Sequence, residues 1–459
     1  MVSKIDNYNF TVTCNERQNQ SCTISLVIAF QDNNTPNYVE YRNISIQWNG
    51  TYEPDKFIIV NTGSSDITIQ VVKGSIVNLD FYYRVGATES GSYTHATDTT
   101  SITIPANQKV FMYSNVMTTW GASYSGDGAH FSITSPNNTV SFSGDISALL
   151  KDNIMTSSAF AYLFANCDIT TAPELPATTL TSYCYRGMFQ ECSLLTTAPS
   201  LPATTLQTYC YSKMFDHCEN LITPPSLPAT TLAERCYDSM FYSCKKLTSA
   251  PALPATTLAD ACYKEMFYGC KKLASAPALP ATTLTPNCYD TMFYGCEELS
   301  SAPSLPATNL AVSCYEDMFG TCTSITTAPT LPATTLAASC YDGMFYGCEG
   351  LTTAPTLPAN VLATSCYKGM FEKCYNLTTA PTLSATTLVS NCYREMFNKC
   401  YSLNYITCLA TSISASNCLT GWVNNVAGSG TFVKANDVTW PTGDNGIPNG
   451  WTVVYATNQ

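Results

Sequence analysis

The string CYKEMFYGC, residues 262 to 270, places two thiols eight residues apart around an aromatic and methionine core. Thiols at a fixed spacing can form a disulfide, hold a metal, act as nucleophiles or simply fill a core. A structural metal site calls for closely spaced pairs such as CxxC, and the sequence has none. A nucleophilic thiol calls for an activating base. Between Cys184 and Cys400 the only histidine is His217. The cysteines number 23, so at least one cannot pair within the chain.

The leading cysteine recurs every 26 residues, at Cys184, Cys210, Cys236, Cys262, Cys288, Cys314, Cys340, Cys366, Cys392 and Cys418. Such a period marks a tandem array. With the leading cysteine as position 0, Tyr stands at +1, Met at +4, Phe at +5, the second Cys at +8 and LPATTL from +17 to +22 in the copy at Cys262. Degenerate copies flank the array, FANCDITTAPELPATTL from Phe164 and NYITCLATSISASNCL from Asn404. Atypical ends are those of a capped solenoid.

Leu258, Cys262, Met266 and Cys270 fall at steps of four, which predicts a short helix. Thr257 reads as its N-cap, Thr231 with Glu234 as a capping box, and Gly269, Gly295 and Gly347 as stops. The Pro-closed KKLASAP segment reads as a strand of a few residues. Strands spaced by about 4.8 Å and helices by roughly 8 to 10 Å would force the stack to curve with helices outside. The expected fold class is therefore an α/β solenoid, with short parallel strands inside, short helices outside and all-β modules in front.

On a helix, eight residues rise about 12 Å, beyond the roughly 4.4 to 6.8 Å between Cα atoms that a disulfide spans. The cysteines accordingly read as reduced core residues, with Cys262, Met266, Phe267 and Cys270 as the structural core of their unit. On the same wheel +2, +3 and +6 face solvent. Position +6 is Tyr242, Tyr268, Tyr294 and Tyr346, and Lys245, Lys246, Lys271 and Lys272 stand in adjoining turns. These eight residues are the candidate ligand-binding surface. The tyrosines can equally lean over neighbouring coils, and Lys271 and Lys272 can face Glu297 and Glu298. A Thr/Ser ladder offers a second polar face.

Only 12% of residues are charged, and the net charge is -12. With no Lys/Arg-rich run, nucleic acid is not an expected partner. The longest apolar run, ISLVIAF, is too short to span a membrane, so no membrane insertion is expected. MVSKIDNYNF carries no secretory signal. Neither a metal nor another cofactor is called for. Segments such as KFIIVN, DITIQVV, KVFMYS and TVSFSG alternate as strands before the array, of beta-sandwich type. The expected domains are a β module over 1–74, a second β module over 75–153 capping the array, the solenoid over 154–418 and a β-rich C-terminal cap over 419–459.

The core MFYSCKKLTSAP, from Met240 to Pro251, resembles the BspA-type leucine-rich repeats, including the 26-residue form of bacterial surface proteins. Together with GDISALL and TGDNGIPNGWTV it is similar to leucine-rich-repeat proteins of gut bacteria and their bacteriophages. That resemblance implies a leucine-rich-repeat horseshoe and a surface-exposed binding or adhesion role. Three functions stay open. The first is a structural protein on a bacteriophage virion, a fibre or capsid decoration made in the host cytoplasm. It would dock on other virion proteins through the N-terminal β module, with an oligomer possible, and recognise a host-surface glycan or protein. The second is an adhesin on a bacterial cell surface. The third is a phage polysaccharide depolymerase; the leading expectation is that the chain is not an enzyme.

Overall fold

A computed structural model describes residues 23–31, 39–47, 56–75, 78–121, 127–134, 140–436 and 438–456. The chain forms two compact units, Met1–Asp55 and Lys56–Gln459. In the first, β1 (Thr23–Gln31) and β2 (Val39–Gln47) make an antiparallel pair in continuous register from Thr23 opposite Gln47 to Gln31 opposite Val39.

The second unit begins with two antiparallel sheets. One has the order β10-β3-β8-β5-β6, from β3 (Phe57–Asn61), β5 (Phe81–Gly86), β6 (Thr94–Ala96), β8 (Lys109–Tyr113) and β10 (Val140–Gly144). The other has the order β7-β4-β9, from β4 (Ile67–Val72), β7 (Thr100–Ile104) and β9 (His130–Ile133). Alternation decides which side chains turn inward: Phe57, Ile59, Phe81 and Met112 from one sheet join Ile69, Val71, Ile102 and Phe131 from the other in one core. Because β3 pairs with β8 and β4 with β7, all inside this unit, the boundary falls at Asp55 and not at residue 74.

The tandem units contain no α-helix among the described residues, contrary to the helical reading. Positions -1, +3 and +7 have positive φ in coil after coil, as at Arg235 (52°), Ser239 (55°) and Ser243 (56°). Left-handed residues at every fourth place break a helix into consecutive turns. Every second amide then closes a turn three residues back: Cys236, Asp238, Met240, Tyr242 and Cys244 donate to the carbonyls of Ala233, Arg235, Tyr237, Ser239 and Phe241 at 3.1–3.3 Å. The amides between them leave the coil. Arg235, Tyr237, Ser239, Phe241 and Ser243 donate to Asp260, Cys262, Lys264, Met266 and Tyr268 of the next coil at 2.7–3.0 Å.

This ribbon keeps the four-residue spacing of buried side chains that mimics a helix. Thr257, Thr231 and Glu234 therefore cap nothing, and Gly269, Gly295 and Gly347 are left-handed turn residues rather than helix stops. Coils sit at turn spacing, with successive core phenylalanines 5.6–5.8 Å apart from Phe189 to Phe397. The mismatch between strand and helix spacing that would have forced curvature is absent.

The expected strands shrink to single parallel bridges, such as Thr327 with Thr353 and Thr353 with Thr379. Proline two residues after the bridge, as in Thr379-Ala380-Pro381, withholds the amide a longer ladder needs. Where that proline is replaced by Thr407, a strand does form. This strand, β11 (Tyr405–Cys408), starts a parallel sheet with β12 (Thr431–Lys434) and β13 (Thr452–Tyr455).

Both ends of the stack are closed by substitutes for a missing coil. In β9, Phe131 stacks on Phe164 at 5.1 Å and 8°, its amide donates to Leu163 O and its carbonyl accepts from the Cys167 thiol. At the other end the Gly421 amide donates to Asn445 Oδ1 and the Val423 amide to Asp444 O, while Trp422 Nε1 donates to Gly446 O.

Candidate functional site: the thiol columns and the tyrosine ridge

All 21 cysteines among the described residues are unpaired and buried. Cys262, Met266, Phe267 and Cys270 are each 0% exposed. The second cysteine of each full unit makes the same bond, its thiol donating to the carbonyl of the phenylalanine one coil earlier, as from Cys270 to Phe241 at 3.1 Å and from Cys296 to Phe267 at 3.2 Å. Burial pushes the Cys348 and Cys236 thiols up to about 12, and that of Cys270 further still. A thiol held protonated is neither a nucleophile nor a metal ligand. Among the described residues no group of three or more His, Cys, Asp or Glu could hold a metal ion.

The eight candidate ligand-binding residues lie on the turn wall, half-buried or exposed. Tyr242 and Tyr268 stack with centroids 4.5 Å apart and planes 1° apart, and Tyr268 and Tyr294 at 5.0 Å and 4°. Helices would have held them roughly 8 to 10 Å apart; the turn ladder brings them into face-to-face contact. Both faces of Tyr268 are thereby covered, so the ridge offers ring edges and hydroxyls rather than open rings. Tyr346 stands apart. A side chain at Gly320 would begin 2.4 Å from Tyr294 Cδ2, so this glycine gives Tyr294 its seat and interrupts the column. Tyr346 instead meets Lys373, whose Nζ lies 4.5 Å from its ring centroid and donates to its hydroxyl.

Of the four lysines, Lys245 pairs with Glu219 at 2.6 Å, Lys271 with Glu297 at 2.7 Å and Lys272 with Glu298. These exposed pairs join coils 26 residues apart and are individually weak. Lys246 donates its backbone amide to Glu219 O at 3.2 Å.

The ridge also contains residues that the helical wheel passed over. The His217 ring lies 5.5 Å from Tyr242 and shares a 2.5 Å hydrogen bond with Asp216, whose other oxygen accepts from Gln190 Nε2 at 3.0 Å. Burial raises the Asp216 carboxyl, and His217 opposes the shift. Gln190 and Asp216 occupy the same +6 column as the tyrosines, so reading that column along the array finds them. On the bridged wall the Thr/Ser ladder, from Thr196 and Thr197 to Thr378 and Thr379, is exposed.

A stack of turn-built coils, hydrogen-bonded one to the next and closed at each end, defines a tandem-repeat protein. The model of the BspA type leucine rich repeat region matches in six copies, over residues 157–300, 234–372 and 287–419, more than half of the chain. The protein belongs to that family. No curated protein and no solved structure matches it. No helix among the described residues is long and apolar enough to cross a membrane.

Proposed function

We propose that the protein is a non-enzymatic display protein of a bacteriophage virion, a fibre or capsid decoration that adheres to glycan or protein on the host surface. The ridge carries this reading. Tyr242, Tyr268 and Tyr294 stand in register on a wall whose backbone amides are committed to turns and to the next coil, so their hydroxyl edges are held at fixed spacing. Such edges, with lysines beside them, suit hydrogen bonding to a repeating polar surface better than ring stacking. The unit Met1–Asp55 is the proposed attachment to other virion proteins.

Replacing Tyr242, Tyr268 and Tyr294 together by Ser is the test. The folded variant should bind host cells, or their isolated surface polysaccharide, at least tenfold more weakly. Unchanged binding would reject the ridge. Antibody against the chain should decorate purified virions; decoration of bacterial cells instead would replace the virion reading with a cell-surface adhesin. Release of new reducing ends from the polysaccharide would make the protein a depolymerase.

A further inference from the structure

Position +2 is occupied along the turn wall by Lys264, Asp290, Glu316, Asp342 and Lys368 in five consecutive coils. Their backbones are locked in register: the carbonyls of Asp290, Glu316, Asp342 and Lys368 accept from Glu265, Thr291, Asp317 and Gly343 of the preceding coil at 2.8–2.9 Å. Turn spacing thus stacks three carboxylates in one column. Its ends are neutralised, Asp290 by Lys264 and Asp342 by Lys368 at 3.2 Å. Its middle coil adds a second acid, Asp317, and neither Glu316 nor Asp317 has an ion pair among the described residues.

Asp317 is also held in place. Its φ is 48°, and its carboxylate occupies the space over Gly343, where a Cβ would lie 2.0 Å from Oδ1. The groups facing it are Asp290 and Tyr294 from the preceding coil, Glu316 from its own, and Asp342 and Lys368 from the two that follow. Four of these five are acidic or ionise to an anion; only Lys368 is cationic, and it is engaged by Asp342.

We propose that this carboxylate column is a proton-operated clamp: a proton on Asp317 tightens the coils from Cys288 to Cys366, and its loss loosens them. Burial, then Asp342, Glu316 and Asp290, raise the Asp317 carboxyl to about 7, and burial raises Asp342 to about 6 against the pull of Lys368. The sign follows. A carboxyl raised above its unfolded value of about 3.9 stabilises the fold fully below that value, and the contribution disappears as pH climbs through about 7. The clamp is closed in mild acid and open in mild alkali.

The test compares thermal unfolding of the full chain at pH 5 and pH 8 for the native sequence, Asp317→Asn and Glu349→Gln. Asn accepts the left-handed backbone and mimics the protonated acid. Glu349 is exposed, so its variant removes the same charge outside the column. Asp317→Asn should unfold about 2 to 4 °C higher at pH 8, with a clearly smaller gain at pH 5, where the folded carboxyl keeps its proton; Glu349→Gln should keep the native difference between the two pH values. The proposal is overturned if Asp317→Asn keeps that difference or loses stability at both. Should Asp317→Asn fail to fold, hydrogen exchange on the native chain decides. After correction for intrinsic rates, the Asp317 and Gly343 amides should lose protection between pH 5 and pH 8 while those of Lys213 and Ser239 keep it, and an equal response would overturn the clamp.

Discussion

The thiol of Cys270 donates to the carbonyl of Phe241, 3.1 Å away and 29 residues earlier in the chain. The same bond recurs from Cys192 to Phe164 through Cys400 to Phe371, at 3.0–3.2 Å throughout. Each turn carbonyl of the phenylalanine therefore accepts twice, from the amide three residues on and from a thiol of the next coil. Cysteine suits this place because it is small, apolar and still a donor.

Cys270→Ala should destabilise the protein by about 1–2 kcal/mol, through the lost donor and the small void. Guanidinium unfolding of the variant against the native chain measures it. A variant as stable as the native chain would show that the thiol contact contributes nothing.

Native thiols should react slowly with a maleimide at pH 8, because burial holds them protonated, with Cys236 and Cys348 at about 12. The native rate should follow opening of the coils. In denaturant without reductant most cysteines should label at once. A majority resisting there would mean that disulfides link them.

Trp422 covers the last rung of both aromatic columns, 6.4 Å from Tyr393 and 6.2 Å from Phe397. Trp422→Ala should cost about 3–5 kcal/mol locally and fray the array from its C-terminal end. Hydrogen exchange should show protection lost first around Tyr393 and Phe397, with the coil at Cys210 unaffected. Uniform loss along the array would contradict independent fraying.

Thr407→Pro restores the residue that keeps earlier coils from forming strands. It should dissolve β11 and free β12 and β13 from the stack, since proline has no amide N–H and its ring crowds the strand where Thr407 pairs with Val433. Limited proteolysis should then cleave between Cys418 and Trp451 at least tenfold faster. An unaltered digestion pattern would remove proline as the reason the strands are short.

The sequence by itself determined the period and the buried set, because Cys, Tyr, Met and Phe recur at fixed places and apolar side chains must be buried wherever the backbone goes. It also determined which residues face outward, since two-in, two-out alternation puts Tyr242 and Tyr268 outside on a helix and on a turn ribbon alike. Tertiary structure alone decided between those backbones. Left-handed residues such as Arg235 and Ala261 are unfavourable in isolation by about 1–2 kcal/mol each, and only amides donated to a neighbouring coil offset that cost. No window of one repeat contains that neighbour. Spacing followed from it: rings expected roughly 8 to 10 Å apart stand 4.5–5.0 Å apart, and acids 26 residues apart, such as Asp290 and Glu316, become adjacent charges because consecutive coils are joined backbone to backbone.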